Sequence, residues 1–265
     1  MGVVLSAQLK TSNPTPNEPL DHPRICVEKI TGTITASTEA SGYAAARADS
    51  PLTHTPWQPT ALPAWWQIDA GAAVDVDYCG IAGHNLGPVS ASVQVQYSTD
   101  GASWNDADTA QVPAGTDPVL FLFAAHTARY WRIYVTGVSA PSISVIQVGK
   151  ATFVPRGIAP RWAPGAWNPQ DDYSNRASEG GQVLGRTLRR TGVRQPISID
   201  LLTEEWADAH WSALLQALRD SGVFFARDPS NRPDELVYGM TDGPAELAYS
   251  RAPNWLTLTL ELMGP

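Results

Sequence analysis

The chain has 265 residues, of which 17% are charged and 43% are hydrophobic, and its formal net charge is −8. This size and composition are typical of a folded protein with two domains. The negative charge argues against a surface that neutralises nucleic-acid phosphates, and no apolar run approaches the roughly 18 residues of a membrane-spanning helix. We therefore expect neither a nucleic-acid partner nor membrane insertion.

Residues 1–24 are predicted to form an extended N-terminal arm. The stretch "TSNPTPNEPLDHPR" at 11–24 contains four prolines and no hydrophobic periodicity. Proline lacks the backbone N–H that helices and strand ladders use, so the stretch favours irregular, extended backbone.

Residues 25–150 are predicted to form a β-sandwich. In "VQVQYSTDGASW", Val93, Val95 and Tyr97 alternate with polar residues, which is typical of a half-buried strand. Gly101 then supplies a tight turn, and we expect Trp104 beyond it to be buried as a core anchor. Further short strands such as "RYWRIYV" follow without helical stretches between them, which favours two packed sheets.

Residues 151–265 are predicted to form a second domain that is rich in strands and carries one α-helix. Thr203 is a suitable N-cap and apolar residues recur after it at helical spacing, so the helix is expected near residues 203–220. The stretch "WLTLTLEL" alternates leucine with polar residues and is predicted to be an antiparallel strand at a sheet edge. The fold class is therefore mainly β.

Five motifs give the predicted sandwich a resemblance to the discoidin family, the galactose-binding-like domains that include coagulation-factor C domains and many bacterial carbohydrate-binding modules. They occur in the family's order, and together they are far more specific than any one alone. The resemblance implies a jelly-roll β-sandwich. The motifs are "ASGYAAARADSPLTHTPW", "WWQIDAG", "YSTDGASW", "ARYWRIYV" and "ISVIQVG".

The resemblance also implies a calcium site in the loop of residues 42–55, where Asp49 matches the acidic ligand. The family's acidic residue near the last strand has no counterpart here, because that strand carries Val145 and Gln147. Calcium needs several oxygen ligands. We therefore expect no cofactor, with calcium at Asp49 as the alternative.

The loops of the predicted sandwich contain aromatic, histidine and amide residues that suit a sugar site. An aromatic ring stacks on a sugar ring, while imidazole and amide groups bond its hydroxyls. The alternative is that both tryptophans belong to the core and that the His–Asn pair closes a turn. The candidate residues are His54, Trp57, Trp65, His84 and Asn85.

The remaining sequence resembles bacteriophage tail proteins of the distal-tail or baseplate type. The matching stretches are "PLDHPRI" before the sandwich and "GVRQPISIDLLTEEWADAHWSALLQALRDSGVFFARDPSNRPDELVYG" after it. The resemblance implies a structural minor tail protein that is located in the virion tail and assembled in the host cytoplasm. The implied partners are copies of itself in a ring, other tail tube, hub or baseplate proteins, and a glycan of the host surface.

Three tryptophans are predicted to contribute to an assembly interface. Two lie in a proline-rich segment that is too apolar for a solvated linker, and one opens the predicted edge strand. The alternative for the first two is that they fold back onto their own domain. These residues are Trp162, Trp167 and Trp255.

The protein is not expected to be an enzyme. The sequence lacks the Gly-x-Ser-x-Gly, His-Glu-x-x-His and Walker motifs. Two carboxylates flanking a glycosidic bond would suffice for hydrolysis, but nothing in the sequence selects a pair. The alternatives to a tail protein are a carbohydrate-binding module fused to a cryptic glycan-active enzyme domain, and a free lectin.

Overall fold

The structure is a computed structural model that describes residues 2–13, 15, 17–155, 163, 170–250 and 254–264. Two large sheets dominate the fold, which confirms the mainly β class. The helices are α1 (Ala7–Thr11) and α2 (Glu204–Asp220), with a 3-10 helix at Ala45–Asp49. The strands are β1 (Val3–Leu5), β2 (Arg24–Cys26), β3 (Thr33–Ala36), β4 (Ala64–His84), β5 (Ser92–Ser98), β6 (Asn105–Asp106), β7 (Val119–Thr136), β8 (Ile143–Gly149), β9 (Thr152–Phe153), β10 (Gln170–Ala177), β11 (Val183–Leu202), β12 (Val223–Ala226), β13 (Leu236–Thr241), β14 (Glu246–Tyr249) and β15 (Leu256–Gly264).

The long antiparallel pair β4 and β7 contributes to both layers of the sandwich. The first part of β4 and the last part of β7 lie with β3, β5 and β6, and form the first layer. The rest of the pair continues with β8 and β1, and forms the second layer. The register shifts after Asp69 and after Val76. Such irregularities bend a strand, which lets the same two strands pass from one layer to the other.

Alternating side chains of both layers build the sandwich core. Trp66 and Ile68 of β4 and Trp131 and Ile133 of β7 are buried between the layers. Side chains from the second layer, including Phe121, meet them there. Because successive strand residues point to opposite faces, the neighbours of these residues must point away from the core.

The second sheet is separate from the two layers of the sandwich. It has the strand order β10-β11-β15-β13-β12-β2-β9, with β14 also paired to β15. The predicted helix is confirmed as α2, and Thr203 Oγ1 accepts a hydrogen bond from the backbone N–H of Trp206 at 3.2 Å. Trp206, Leu214 and Leu218 of α2 pack into the core of this domain. Neither helix within the described ranges is long and apolar enough to cross a membrane.

A further buried cluster joins the sandwich to the second sheet. Tyr78 and Leu122 on the outer face of the second layer share it with Phe224 and Tyr238 of β12 and β13. Gly80 lies so close to Phe224 that a Cβ atom at this position would stand 2.5 Å from the ring. The second sheet therefore forms a third layer that covers one outer face of the sandwich.

The predicted N-terminal arm contains regular structure, which corrects the expectation of an extended segment. β1 pairs in parallel with β7, and Ser6 caps α1 by accepting a hydrogen bond from Leu9 N–H. The prolines begin only at residue 14, so their effect on ladder and helix bonds does not reach this part. The chain then enters β2, which pairs with β9 and β12 of the second sheet and not within the sandwich.

The predicted edge strand is also corrected. The stretch "WLTLTLEL" leads into β15, which pairs with β11 along one side and with β13 and β14 along the other. Its alternation of leucine and polar residues shows which face is buried, but alternation contains no information on how many neighbours a strand has. β15 is therefore an interior strand of the sheet.

Candidate functional site

The structure does not bring the predicted sugar-binding residues into one open site. Trp57 is completely buried in the sandwich core, and its indole N–H donates to the carbonyl oxygen of Thr38 at 3.2 Å. A ring without exposed surface offers no face to a sugar. This corrects the prediction for Trp57 and agrees with the alternative that it belongs to the core.

His84 and Asn85 close a turn at the end of β4. His84 is only 5% exposed, and its Nδ1 accepts a hydrogen bond from Leu86 N–H at 3.3 Å. Burial lowers the pKa of His84 to about 4, so the imidazole is neutral at neutral pH. The Asn85 side-chain oxygen accepts from Ser142 N–H at 2.7 Å. These polar groups hold the backbone, which corrects their predicted role as sugar ligands.

The other two predicted residues lie on different surfaces. His54 is exposed in the loop before Trp57, whereas Trp65 is half-buried near the start of β4. Trp65 pairs with Tyr134 of β7, so it belongs to the outer face of the first layer. Trp65 thus lies on a strand face and not in the loop and turn that hold the other predicted sugar-site residues.

Three rows of side chains cross this outer face from β4 through β7 to β5. The first row contains Trp65, Tyr134 and Gln94, and the second contains Gln67, Arg132 and Gln96. Tyr130 lies in the third row, and Trp104 reaches the second row from the turn after β5. We call this surface the aromatic face, and all of its members are half-buried: Trp65, Gln67, Gln94, Gln96, Trp104, Tyr130, Arg132 and Tyr134.

The strand alternation that fills the core also creates the aromatic face. In "RYWRIYV", Trp131 and Ile133 point inward, so Tyr130, Arg132 and Tyr134 point outward. Adjacent strands lie about 4.8 Å apart, which places the Trp65 and Tyr134 side chains next to each other. None of these outward residues of β7 belongs to the sugar site predicted from the sequence.

Trp104 is part of this surface and is not the core anchor that the sequence predicts. It is half-buried, and the guanidinium carbon of Arg132 lies 3.9 Å from the centre of its ring. The same carbon lies 5.3 Å from the Tyr134 ring centre, so Arg132 makes cation–π contacts with both. Gln96 Oε1 accepts from Arg132 Nε at 2.8 Å, and Gln96 Nε2 donates to Asp106 at 2.6 Å.

An ion pair borders the aromatic face in the third row. Arg129 donates from Nε and Nη2 to the two carboxylate oxygens of Asp69, at 2.7 and 2.8 Å. The hydrogen bond from Arg129 lowers the pKa of Asp69 to about 2. This carboxylate is therefore already neutralised by a neighbour, unlike the guanidinium of Arg132.

The loop that the resemblance implies as a calcium site is held by an ammonium group. Lys29 Nζ donates to the carbonyl oxygen of Asp49 at 2.6 Å and to its carboxylate at 2.8 Å. Calcium takes about six to eight oxygen ligands. Among the described residues, no group of three His, Cys, Asp or Glu side chains could hold a metal. Because Lys29 Nζ already bonds the carbonyl and carboxylate oxygens of Asp49, an ammonium group lies where the resemblance implies a cation, and this arrangement does not fit calcium.

A cavity of about 180 Å³ lies where the N-terminal segment meets the sandwich. Its lining is mainly apolar and includes Leu9 and Leu122. The charged lining residues are Glu18, Arg24, Asp77 and Lys150. Asp77 accepts a hydrogen bond from Ala151 N–H at 2.7 Å. Burial nevertheless raises the pKa of Asp77 to about 6.

The predicted assembly residues remain predictions. Trp162 and Trp167 lie outside the described residues. Trp255 is half-buried just before β15, and its carbonyl oxygen accepts a hydrogen bond from Ser250 N–H at 2.8 Å.

Comparisons with known proteins find similarity in the region of the sandwich. Residues 33–147 match the model of the F5/8 type C domain. A chitosan-binding module of a chitosanase/glucanase from Paenibacillus sp. IK-5 is 22% identical, covers 46% of this chain and 97% of its own, and has a TM-score of 0.41. CpGH89CBM32-5 from Clostridium perfringens, solved in complex with GalNAc-β-1,3-galactose, is 14% identical, covers 44% and 94%, and has a TM-score of 0.40. No curated protein matches the chain. The discoidin part of the resemblance is thereby supported, because the matched residues 33–147 lie within the predicted sandwich.

Proposed function

We propose that this chain is a non-enzymatic glycan-binding protein and that its sandwich binds glycans through the aromatic face. The observation that carries the proposal is the first row of that face. Trp65 and Tyr134 present two partly open rings side by side, with Gln94 next to them. The loops contribute only one exposed residue of the predicted sugar set, His54.

The chemistry of the aromatic face matches that of a sugar. Aromatic rings stack on the C–H face of a pyranose, and side-chain amides donate to and accept from its hydroxyls. The amides of Gln67 and Gln94 lie beside the rings in adjacent rows. A shallow, open surface of this kind favours an extended glycan bound with a Kd of about 1 mM.

The test compares ring removal on the face with removal of the exposed loop histidine. Trp65→Ala and Tyr134→Ala, made in the full chain, are each expected to weaken binding to a glycan that the wild type selects on an array by about tenfold or more. Both side chains are half-buried, so thermal melting must show that each variant is folded.

His54→Ala is the matched control, and it is expected to leave binding unchanged. If His54→Ala abolishes binding while Trp65→Ala and Tyr134→Ala bind normally, the site is the loop and not the aromatic face. If the wild type binds no glycan from an array of bacterial surface polysaccharides, the proposed function is wrong.

We further propose that the second domain joins copies of this chain in a ring, as part of a phage-type tail tip in the virion. A specific observation supports self-assembly, namely the exposed hairpin of β10 and β11. Residues 183–192 of β11 pair with β10, while the pairing of β11 with β15 begins only at Val193. The hairpin therefore extends beyond the rest of the sheet.

The β10–β11 hairpin exposes large apolar side chains whose contact with water is unfavourable in a monomer. Leu184 is 67% exposed, and Leu188 is 49% exposed opposite Tyr173. An isolated two-stranded hairpin is only marginally stable in water. Exposed apolar patches of this kind typically mark an interface.

Charge supports a second copy of the chain as the partner of the hairpin. The exposed arginines Arg176, Arg186 and Arg189 outnumber the exposed acidic residues Asp172 and Glu179 on the hairpin, whereas the whole chain has a net charge of −8. An arginine-bearing hairpin that meets an acidic surface elsewhere on a neighbour makes a head-to-tail contact. Contacts of this type generate rings when the rotation closes.

The self-assembly test replaces the two hairpin leucines with aspartate. Leu184→Asp with Leu188→Asp is expected to leave the melting temperature nearly unchanged, because both side chains are exposed, and to prevent oligomer formation in sedimentation velocity. Val138→Asp is the matched control, since Val138 is 99% exposed on the sandwich. A wild-type chain that stays monomeric well above micromolar concentration, or a double variant that still assembles, would show that the hairpin is not the interface.

A further inference from the structure

Arg132 forms no ion pair with a carboxylate of the described residues, a property that it shares with Arg24 and Arg47 but not with four other arginines. Arg129, Arg194, Arg227 and Arg232 each form an ion pair with a carboxylate. Arg132 forms none within the described residues, although it is half-buried at the centre of the aromatic face. A guanidinium remains protonated at all ordinary pH values, so this charge is permanent.

The contacts of Arg132 hold its guanidinium in place and leave the edge formed by Nη1 and Nη2 available to bind a ligand. Nε donates to Gln96, and the described residues offer Nη1 and Nη2 no hydrogen bond. Trp104 lies against the guanidinium, and Gln96 is itself held by its hydrogen bond to Asp106. A guanidinium that is fixed in this way has less rotational freedom to lose when it binds an anion.

We infer that the aromatic face selects glycans that carry carboxylate groups, and that the free edge of Arg132 binds the carboxylate of a uronic acid. This inference rests on the proposed function of the same face. A carboxylate matches the two parallel N–H donors of a guanidinium. A uronic acid combines that group with a pyranose ring that can stack on Tyr134, whose ring lies 5.3 Å from the guanidinium carbon.

The net negative charge of the protein means that a preference for acidic glycans has to come from the binding site itself. With a net charge of −8, the chain repels acidic polymers at long range. A preference for acidic sugars must therefore arise locally. Asp106 is the nearby negative charge, and it accepts a hydrogen bond from Gln96 Nε2. This bond leaves Gln96 Oε1 to accept from Arg132 Nε, so Gln96 lies between the two charges.

The experiment uses the full chain and pairs of ligands that differ in the charge of the carboxyl group. Oligogalacturonate and oligomannuronate are titrated against their own methyl esters, which keep the sugar rings and convert each carboxylate into an uncharged ester. We expect the wild type to bind at least one of the acids about tenfold more tightly than its ester, as one charge-assisted contact can provide. Arg132→Gln is expected to lose the preference, so that acid and ester bind with equal affinity.

Arg47→Gln is the control, because it removes the same charge from an exposed position in the 3-10 helix and is expected to keep the preference. If acid and ester bind the wild type equally, or if Arg132→Gln keeps the preference, the inference is wrong even though the face binds sugars. If neither ligand binds and the array is also negative, the proposed function fails with it. A preference for sulfated over carboxylated oligosaccharides would also overturn the inference.

Discussion

At the scale of single residues, Lys29 supplies the positive charge that a bound cation would supply in the loop of residues 42–55. Its ammonium group contacts two oxygens of Asp49, one from the backbone and one from the side chain. The positive charge is covalently part of the chain and needs no site with several carboxylates. The same loop continues to Pro51, whose carbonyl oxygen accepts from the Tyr238 hydroxyl of the second domain at 2.6 Å.

We therefore expect Lys29→Met to destabilise the protein and EDTA to leave the wild type unaffected. The substitution leaves the half-buried Asp49 carboxylate without its partner, which costs about 1–2 kcal/mol of unfolding free energy. Asp49→Asn is the milder control, because an amide oxygen still accepts from Lys29. Melting curves with and without EDTA provide the measurement. A fall of several degrees with EDTA that calcium restores would show a real metal site.

At the scale of elements, hydrophobic alternation predicted which side chains face inward. The strands "RYWRIYV" and "WLTLTLEL" bury the residues that their patterns indicate, and Thr203 caps α2 where the sequence predicts it. What alternation does not provide is the identity of a strand's neighbours. β15 is an interior strand, and β2 pairs with β12, which lies about 200 positions away along the chain.

The candidate site was only partly predictable for the same reason. Trp65 was identified from its own motif, but its partners Tyr134 and Gln94 reach it only through the pairing of β4 with β7 and of β7 with β5. Polar side chains on the outer face of a strand look like ordinary solvated positions in a sequence. Trp104 was assigned to the core because a tryptophan after a turn is usually buried, whereas here it supports Arg132.

At the scale of the whole molecule, the cavity beside Asp77 lies where the N-terminal segment, the sandwich and the start of the second domain meet. Asp77 on β4 accepts from Ala151, which lies between β8 and β9. Burial of this carboxyl raises its pKa to about 6, whereas the pKa of an unfolded aspartate is about 3.9. Ionising Asp77 therefore weakens the junction between the parts of the molecule.

We expect Asp77 to reduce the free energy of unfolding as the pH rises from about 4 to about 6. In this range the folded chain retains a proton that the unfolded chain has lost, so each increase in pH removes stability. Asp77→Asn keeps an oxygen that accepts from Ala151 and does not titrate. Above pH 6 it should be more stable than the wild type by about 1–3 kcal/mol, and below pH 4 the difference should vanish. Denaturant titrations at several pH values measure this.

His84→Asn provides a control in which the free energy of unfolding changes with pH in the opposite direction. The pKa of His84 is lowered to about 4 by burial, so its contribution is present above the unfolded value of about 6.5 and is lost as the pH falls toward 4. The stability of the wild type relative to His84→Asn should therefore decrease on acidification. An Asp77→Asn difference that is identical at pH 4 and pH 7 would show that Asp77 titrates normally.

The continuity of β4 and β7 through both layers also determines how the molecule would carry force. Their outer end presents the aromatic face, and their inner end packs against the second domain through Tyr78 and Leu122. Tension between a tethered glycan and a fixed second domain would run along these two strands. Their hydrogen bonds lie perpendicular to the strand axis, so such tension loads many of them together in shear. The sandwich is thereby built to transmit a pull from its ligand without opening strand by strand.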